Sequence, residues 1–157
     1  MAAPQVRVAV GPAEIESAKR LFLEYASTLD DVDLSYQQFD EELASLPGDY
    51  APPRGTLLLG WLDDEVAGCV AVRPFEDDCE MKRLYVPARL RGTGLGRLLV
   101  QASIDWARKA GYRRMLLDSL PEMHAAQRLY ERFGFVDVEA YRSSPIPTRF
   151  MGLDLRA

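Results

Sequence analysis

The sequence predicts an α/β fold of the mixed α+β kind, with a central sheet of about seven strands and helices on both faces. Three observations lead there. Segments of period two and period 3.6 alternate along the 157 residues in the order β-α-α-β-β-β-α-β-α-β-β. That order has neither the strict alternation of a doubly wound sheet nor the all-helical pattern of a bundle. The chain is 48% apolar and 27% charged, which suits one globular domain over residues 1–157 with its own core.

Gln5–Val10 (QVRVAV) alternates and reads as the first strand, ended by Gly11-Pro12. Ile15, Ala18, Phe22, Tyr25, Ala26 and Leu29 recur at helical spacing, so Pro12–Thr28 is an amphipathic helix with Pro12 in its first turn. Ser35 is placed to cap a second helix, Tyr36–Leu46, in which Phe39, Leu43 and Leu46 share a face. The prolines and glycines of Pro47–Gly55 make a loop. Thr56–Leu62 and Glu65–Arg73 form a hairpin across Asp63-Asp64, and Glu80–Val86 is the fourth strand. Leu95, Leu98, Leu99, Ala102 and Trp106 mark one face of a third helix, which ends near Ala110 before Gly111. Arg113–Asp118 is a strand. Glu122–Phe133 is a helix with Pro121 at its start and Gly134 just past its end. Phe135–Val138 is short and strand-like, and Thr148–Leu155 is the last strand.

Composition narrows the function. A net charge of −5 gives no footprint for nucleic acid or an anionic membrane. The N-terminus is too short and interrupted for a signal peptide, and no apolar run reaches the ~20 residues that span a bilayer. Cys69 and Cys79 lie in strand-like segments without metal-ligand spacing, and there is one histidine, so no metal site is expected. A cytoplasmic protein with buried thiols is the expectation.

The chemistry concentrates in Arg89–Ala102, RLRGTGLGRLLVQA. A strand, a glycine-rich turn and a helix start together make an anion site. The first N–H groups of a helix have no intrahelical partner, and its dipole favours negative charge. Glycines bring those groups close to a phosphate without side-chain clash. No Lys-Ser/Thr follows Gly96, so this is not a Walker A loop, and Gly-x-Gly-x-Gly is not the dinucleotide spacing.

Arg91-Gly92-Thr93-Gly94-Leu95-Gly96 fits Arg/Gln-x-x-Gly-x-Gly/Ala, and so resembles the acyl-CoA pyrophosphate signature of the GNAT N-acetyltransferase superfamily. MKRLYVPARLRGTGLGRLLV is similar to that family's fourth strand, loop and third helix, and AAQRLYERFGF to its later helix. The likeness is strong from Thr56 to Phe135. It implies acetyl-CoA as cofactor. The pantetheine arm would lie along the backbone of Leu84, Tyr85 and Val86, with Pro87 ending the pairing. The pyrophosphate would meet N–H groups of Arg91, Gly92, Thr93, Gly94, Leu95, Gly96 and Arg97. The gap for the cofactor would open where the fourth strand splays from Arg113–Asp118.

The resemblance further implies that Tyr130 is the general acid toward the departing thiolate, while its ring joins an apolar helix stripe. Glu80 matches the glutamate that takes the amine's proton, directly or through water. Some such path is needed, because an amine of pKa ~10.4 is neutral in only about one molecule in a thousand at pH 7. Met123 stands where the family often has asparagine, beside the only histidine, His124. The implied reaction is direct attack of a primary amine on the acetyl group, with an N–H near Leu84 holding the oxyanion. Cys79 lacks a histidine to activate it as a nucleophile.

The acceptor is expected to be a small-molecule or peptide amine, with neither nucleic acid nor membrane as partner; a homodimer stays open. Asp30, Asp31 and Asp33 would attract a cation, with Tyr25, Tyr36 and Phe39 as walls. Arg54, Arg83, Arg142 and Arg149 would suit a carboxylate. A non-catalytic acyl-CoA sensor is the alternative.

Overall fold

The computed structural model describes residues 3–29 and 38–156. Its strands are β1 (Gln5–Val8), β2 (Thr56–Leu62), β3 (Glu65–Phe75), β4 (Asp78–Tyr85), β5 (Arg114–Ser119), β6 (Val136–Asp137) and β7 (Arg149–Asp154). They form one seven-stranded sheet in the order β1-β2-β3-β4-β5-β7-β6. The β4–β5 pairing is parallel and the other pairings are antiparallel. The helices are α1 (Gly11–Ser27), α2 (Phe39–Ser45), α3 (Leu95–Lys109) and α4 (His124–Arg132).

Both faces of the sheet are covered, and β3 shows why. Along Cys69-Val70-Ala71-Val72 every side chain is buried, yet they alternate between two cores. Val70 and Val72 pack with α3, while Cys69 and Ala71 pack with α1. A strand buried on both faces reads as a continuous apolar run rather than an alternating one. Helix α1 contributes Ala18, Leu21 and Phe22 at the i, i+3, i+4 spacing. Helix α3 contributes Leu95, Leu99, Val100, Ile104 and Ala107. Each large side chain buried in this way contributes roughly 1.5–3 kcal/mol.

One contact fixes where α3 begins. A Cβ built on Gly60 of β2 would lie 2.7 Å from Leu95 Cδ1. Only glycine lets the first turn of α3 sit directly on the sheet.

The element order matches the expectation, and the boundaries move for local reasons. β1 stops at Val8, because exposed Val10 is already the N-cap residue of α1. β3 and β4 run on to Phe75 and Asp78, since a tight turn at Glu76-Asp77 extends their hairpin. Helix α4 starts at His124; Pro121 and Glu122 lie in a turn closed by Met123 N–H on Leu120 C=O at 3.0 Å. The Ser35 cap and the first residues of the expected second helix lie outside the described residues.

Candidate active site

β4 and β5 pair side by side at Cys79↔Met115 and Glu80↔Leu116. Further along, Met81 to Leu84 and Asp118 to Leu120 face each other across a recess. Ligands in open α/β sheets bind beyond the carboxyl ends of parallel strands, where neighbours part.

β4 is irregular at that point. β3 sets Ala71 opposite Lys82 but Cys69 opposite Tyr85, so Val70 faces both Arg83 and Leu84. This is a β-bulge, which interrupts the ladder and re-aims the strand. Arg83 adopts φ 62°, a left-handed conformation that is uncommon away from glycine. It is held there from α2. Its guanidinium donates to the Glu42 carboxylate at 2.9 and 3.2 Å and lies 5.0 Å from the centre of the Phe39 ring.

The glycine turn follows. Gly92 and Gly94 have φ of 85° and 86°, and Gly94 caps α3. A Cβ on either would meet nothing, so these two are glycine for conformation rather than for space. Gly96 is the reverse: its φ is not left-handed, and a Cβ there would only touch Leu129 Cδ2 at 3.9 Å. Its bare backbone faces an open cleft of about 790 Å³. The first bond of the helix ladder runs from Leu98 N–H to Gly94 C=O. The N–H groups before Leu98 therefore precede the ladder. Thr93 braces the turn, donating its hydroxyl to Leu90 C=O at 2.9 Å and accepting Leu95 N–H at 3.4 Å.

Of the residues expected to hold a cofactor, Leu84, Tyr85, Val86, Arg91 and Gly96 line this one cleft. Arg91 is exposed, and its Nε donates to Val86 C=O at 3.3 Å, tying the turn to the end of β4. Gly92 and Gly94 shape the turn. Leu95 offers only backbone, because its side chain is core. Arg97 is exposed on the first turn of α3 and is not a wall of the cleft. The opposite wall is α4, with His124 exposed at its start beside Met123. An elongated anionic ligand suits this cleft: open helix N–H groups at one end, strand backbone at the other, and no side chain on Gly96.

The cleft adjoins the recess between β4 and β5, of about 60 Å³, with Tyr25, Leu29, Leu84, Leu120, Met123 and Ala126 as shared walls. Tyr130 lines that recess while its ring packs 5.8 Å from Phe135. Burial pushes the Tyr130 pKa up, and Tyr25 and Asp118 push it the same way, so the phenol keeps its proton.

Residues 16–135 match the model of the Acetyltransferase (GNAT) family. The chain belongs to the GNAT acetyltransferase family. It is 43% identical over 139 residues to an uncharacterized N-acetyltransferase of Schizosaccharomyces pombe, covering 87% of this chain and 85% of that protein. Over 86 residues it is 34% identical to the N-acetylaspartate synthetase of Rattus norvegicus, which is 54% of this chain and 29% of that one. A Salmonella typhimurium structure solved with its cofactor acetyl-CoA shares the fold, with a TM-score of 0.70 and 22% identity over 98% of this chain and 95% of that one. As a member of the GNAT acetyltransferase family, the chain takes acetyl-CoA as its acetyl donor. Among the described residues no helix is long and apolar enough to cross a membrane.

Several expectations for this GNAT site need correcting. Glu80, expected as the base, is fully buried and off the walls of both recess and cleft. Oε1 accepts from Arg73 at 3.0 Å, and Oε2 from Arg142 at 2.6 Å and the Tyr141 hydroxyl. Burial alone would raise its pKa. The charges of Lys82, Arg73 and Arg142 and the Tyr141 hydrogen bond outweigh that and lower it to about 2. A carboxylate held this way is a poor proton acceptor.

The arginines expected to meet the acceptor bind carboxylates of the chain instead. Arg83 holds Glu42, Arg142 holds Glu80, and Arg149 holds the exposed Asp137 at 2.7 Å. Of the three, Arg83 is the buried guanidinium, which needs such a partner. Arg54 is exposed and off the walls of both recess and cleft. Phe39 is buried beneath Arg83, while Tyr25 does line the cleft. Asp30, Asp31, Asp33 and Tyr36 lie outside the described residues. Burial pushes the Cys79 thiol up to about 12, with Asp78 and Glu80 adding to the shift, which leaves it unreactive.

Lys82 and Asp118, which line the recess and pair at 3.3 Å, were not among the residues expected there. The signal was there: Asp118 closes the apolar run MLL at the carboxyl end of a buried strand, and Lys82 alternates with core Met81.

Proposed function

We propose that this protein transfers the acetyl group of acetyl-CoA to the primary amine of a small molecule or peptide by direct attack, with both substrates bound together. The carrying observation is that two adjoining pockets with shared walls bring together three features: the open start of α3, the β4 bulge and Tyr130.

Bound acetyl-CoA supplies an activated acyl carbon, which gains a bond to the amine nitrogen as its bond to sulfur breaks. The Leu84 N–H, at the bulge, donates to the carbonyl oxygen as that oxygen gains charge. Tyr130 gives its hydroxyl proton to the sulfur. Glu80 organises this site by tying β3, β4 and the segment at Tyr141-Arg142 together. The acceptor's ammonium loses one proton to water in the open cleft before attack, since only the neutral amine carries a lone pair, and a second after the C–N bond forms, which restores the Tyr130 hydroxyl. The likeness to a relative named for N-acetylaspartate supports an amino-acid acceptor.

Release of free CoA thiol in the presence of amines tests the reading and separates it from a non-catalytic sensor. Tyr130→Phe should lower turnover on the order of 10²-fold or more, the range for lost acid–base assistance, with acetyl-CoA affinity within twofold of wild type. Full turnover by Tyr130→Phe, where chemistry limits the rate, overturns the acid role.

A further inference from the structure

We infer that the Lys82–Asp118 pair is the headgroup clamp for a free α-amino acid acceptor, with Asp118 receiving the amine as its ammonium and Lys82 the adjacent carboxylate. This rests on the acetyltransferase reading and names its substrate class.

The two acids of the buried network are not equivalent. Glu80 is enclosed, and its donors approach within 3.0 Å. Asp118 is a wall of the recess, and its carboxylate keeps some exposure. Its oxygens take one donor each, Lys82 Nζ on Oδ1 and Arg142 Nη1 on Oδ2, both at 3.3 Å. Charge-assisted bonds usually close to about 2.7–2.9 Å, so both contacts are slack. A carboxylate oxygen accepts two hydrogen bonds, which leaves Asp118 capacity for a further donor from the recess.

A structural role explains the pair poorly. Charges removed from water seldom repay their desolvation, and an apolar pair of the same volume often serves stability as well. A role in recognition explains it better. The recess sets the Asp118 carboxylate against the buried Lys82 nitrogen on the facing strand, where burial lowers the Lys82 pKa and the charges of Glu80 and Asp118 hold it up, beside Tyr130 and the bulge at Leu84. An α-amino acid carries the complementary charges on neighbouring atoms. It adds a donor to Asp118 and an acceptor to Lys82, and both charges stay paired throughout.

Other amines fit less well. A polyamine sets a second cation against Lys82 and Arg142. A peptide N-terminus has an amide where the carboxylate belongs. At about 60 Å³ the recess admits the headgroup alone, so the acceptor's side chain lies outward toward Tyr25 and Leu29.

The test uses the intact chain with saturating acetyl-CoA and follows CoA thiol release. The acceptors are the free L-amino acids, their carboxamides, a tripeptide and putrescine. At least one free amino acid should exceed its own carboxamide tenfold or more in kcat/KM. Asp118→Asn should raise the KM for that amino acid tenfold or more, with the KM for acetyl-CoA within twofold. Lys82→Met should abolish the preference for acid over carboxamide, and Lys82→Arg should restore part of it. If the substituted chains do not fold, the wild-type ratio of acid to carboxamide decides alone. Carboxamides, tripeptide or putrescine used as well as the free acids would overturn the clamp, as would an unchanged acceptor KM in Asp118→Asn. If acetyl-CoA raises the melting temperature yet no free amino acid is acetylated, the clamp falls and the acetyl-CoA site stands. If acetyl-CoA gives no shift, the acetyltransferase reading falls with it.

Discussion

With its pKa lowered to about 2, the Glu80 carboxyl stays ionised at any pH where the protein would be assayed. In the unfolded chain the same group titrates near 4.5. A depressed folded pKa stabilises the fold above the unfolded value, and that contribution fades as pH falls from about 5 toward 2. The full contribution is on the order of 3 kcal/mol, of which about 2 should be gone by pH 3. Urea unfolding at pH 7 and pH 3 would measure this loss. Glu80→Gln should cost roughly 2–4 kcal/mol at pH 7, because Arg73 would lose its counter-charge and Arg142 one of its two, and it should flatten the acid limb. The sequence made Glu80 visible as an acid near the start of a strand, and there its reach ended. The residues that enclose it, Tyr141 and Arg142, lie 61 and 62 positions away, beyond any local pattern. Tyr130 was legible because its helix carries a local motif that ends in Gly134-Phe135.

The glycine turn and α3 were read almost residue by residue, since a strand end, a turn and a helix start are all local events. The β4 bulge was not. It leaves no mark in MKRLYV, because its cause is the register β4 takes against β3. The glycines of the turn divide into two kinds, and substitution should separate them. Gly94→Ala forces a side chain into left-handed backbone and should lower stability by about 1–2 kcal/mol in denaturant titration. Gly96→Val meets no forbidden backbone and should leave stability within about 0.5 kcal/mol. It should nonetheless weaken acetyl-CoA binding more than tenfold by calorimetry, because its side chain enters the cleft. Equal affinity for acetyl-CoA in Gly96→Val would mean that the cofactor does not run past this turn.

At the scale of the whole molecule, fold class and strand number followed from element order, but the order of strands across the sheet did not. β7 sits between β5 and β6, an insertion set by the return of the chain's last segment rather than by any short stretch. A ligand that binds only the folded form at 100 times its Kd should stabilise it by ~2.7 kcal/mol. For a chain of this size that is a rise of about 5–10 °C in the melting temperature with acetyl-CoA. The Arg83–Glu42 contact carries a consequence for how such a protein changes over time. The residue that bends β4 is held by α2, so the bulge and that helix do not vary independently. A chain that exchanged α2 for another segment would need to bring a carboxylate to the place of Glu42. Otherwise it would need glycine at position 83, where left-handed backbone carries no strain. Changes at these two positions should therefore arrive as a pair.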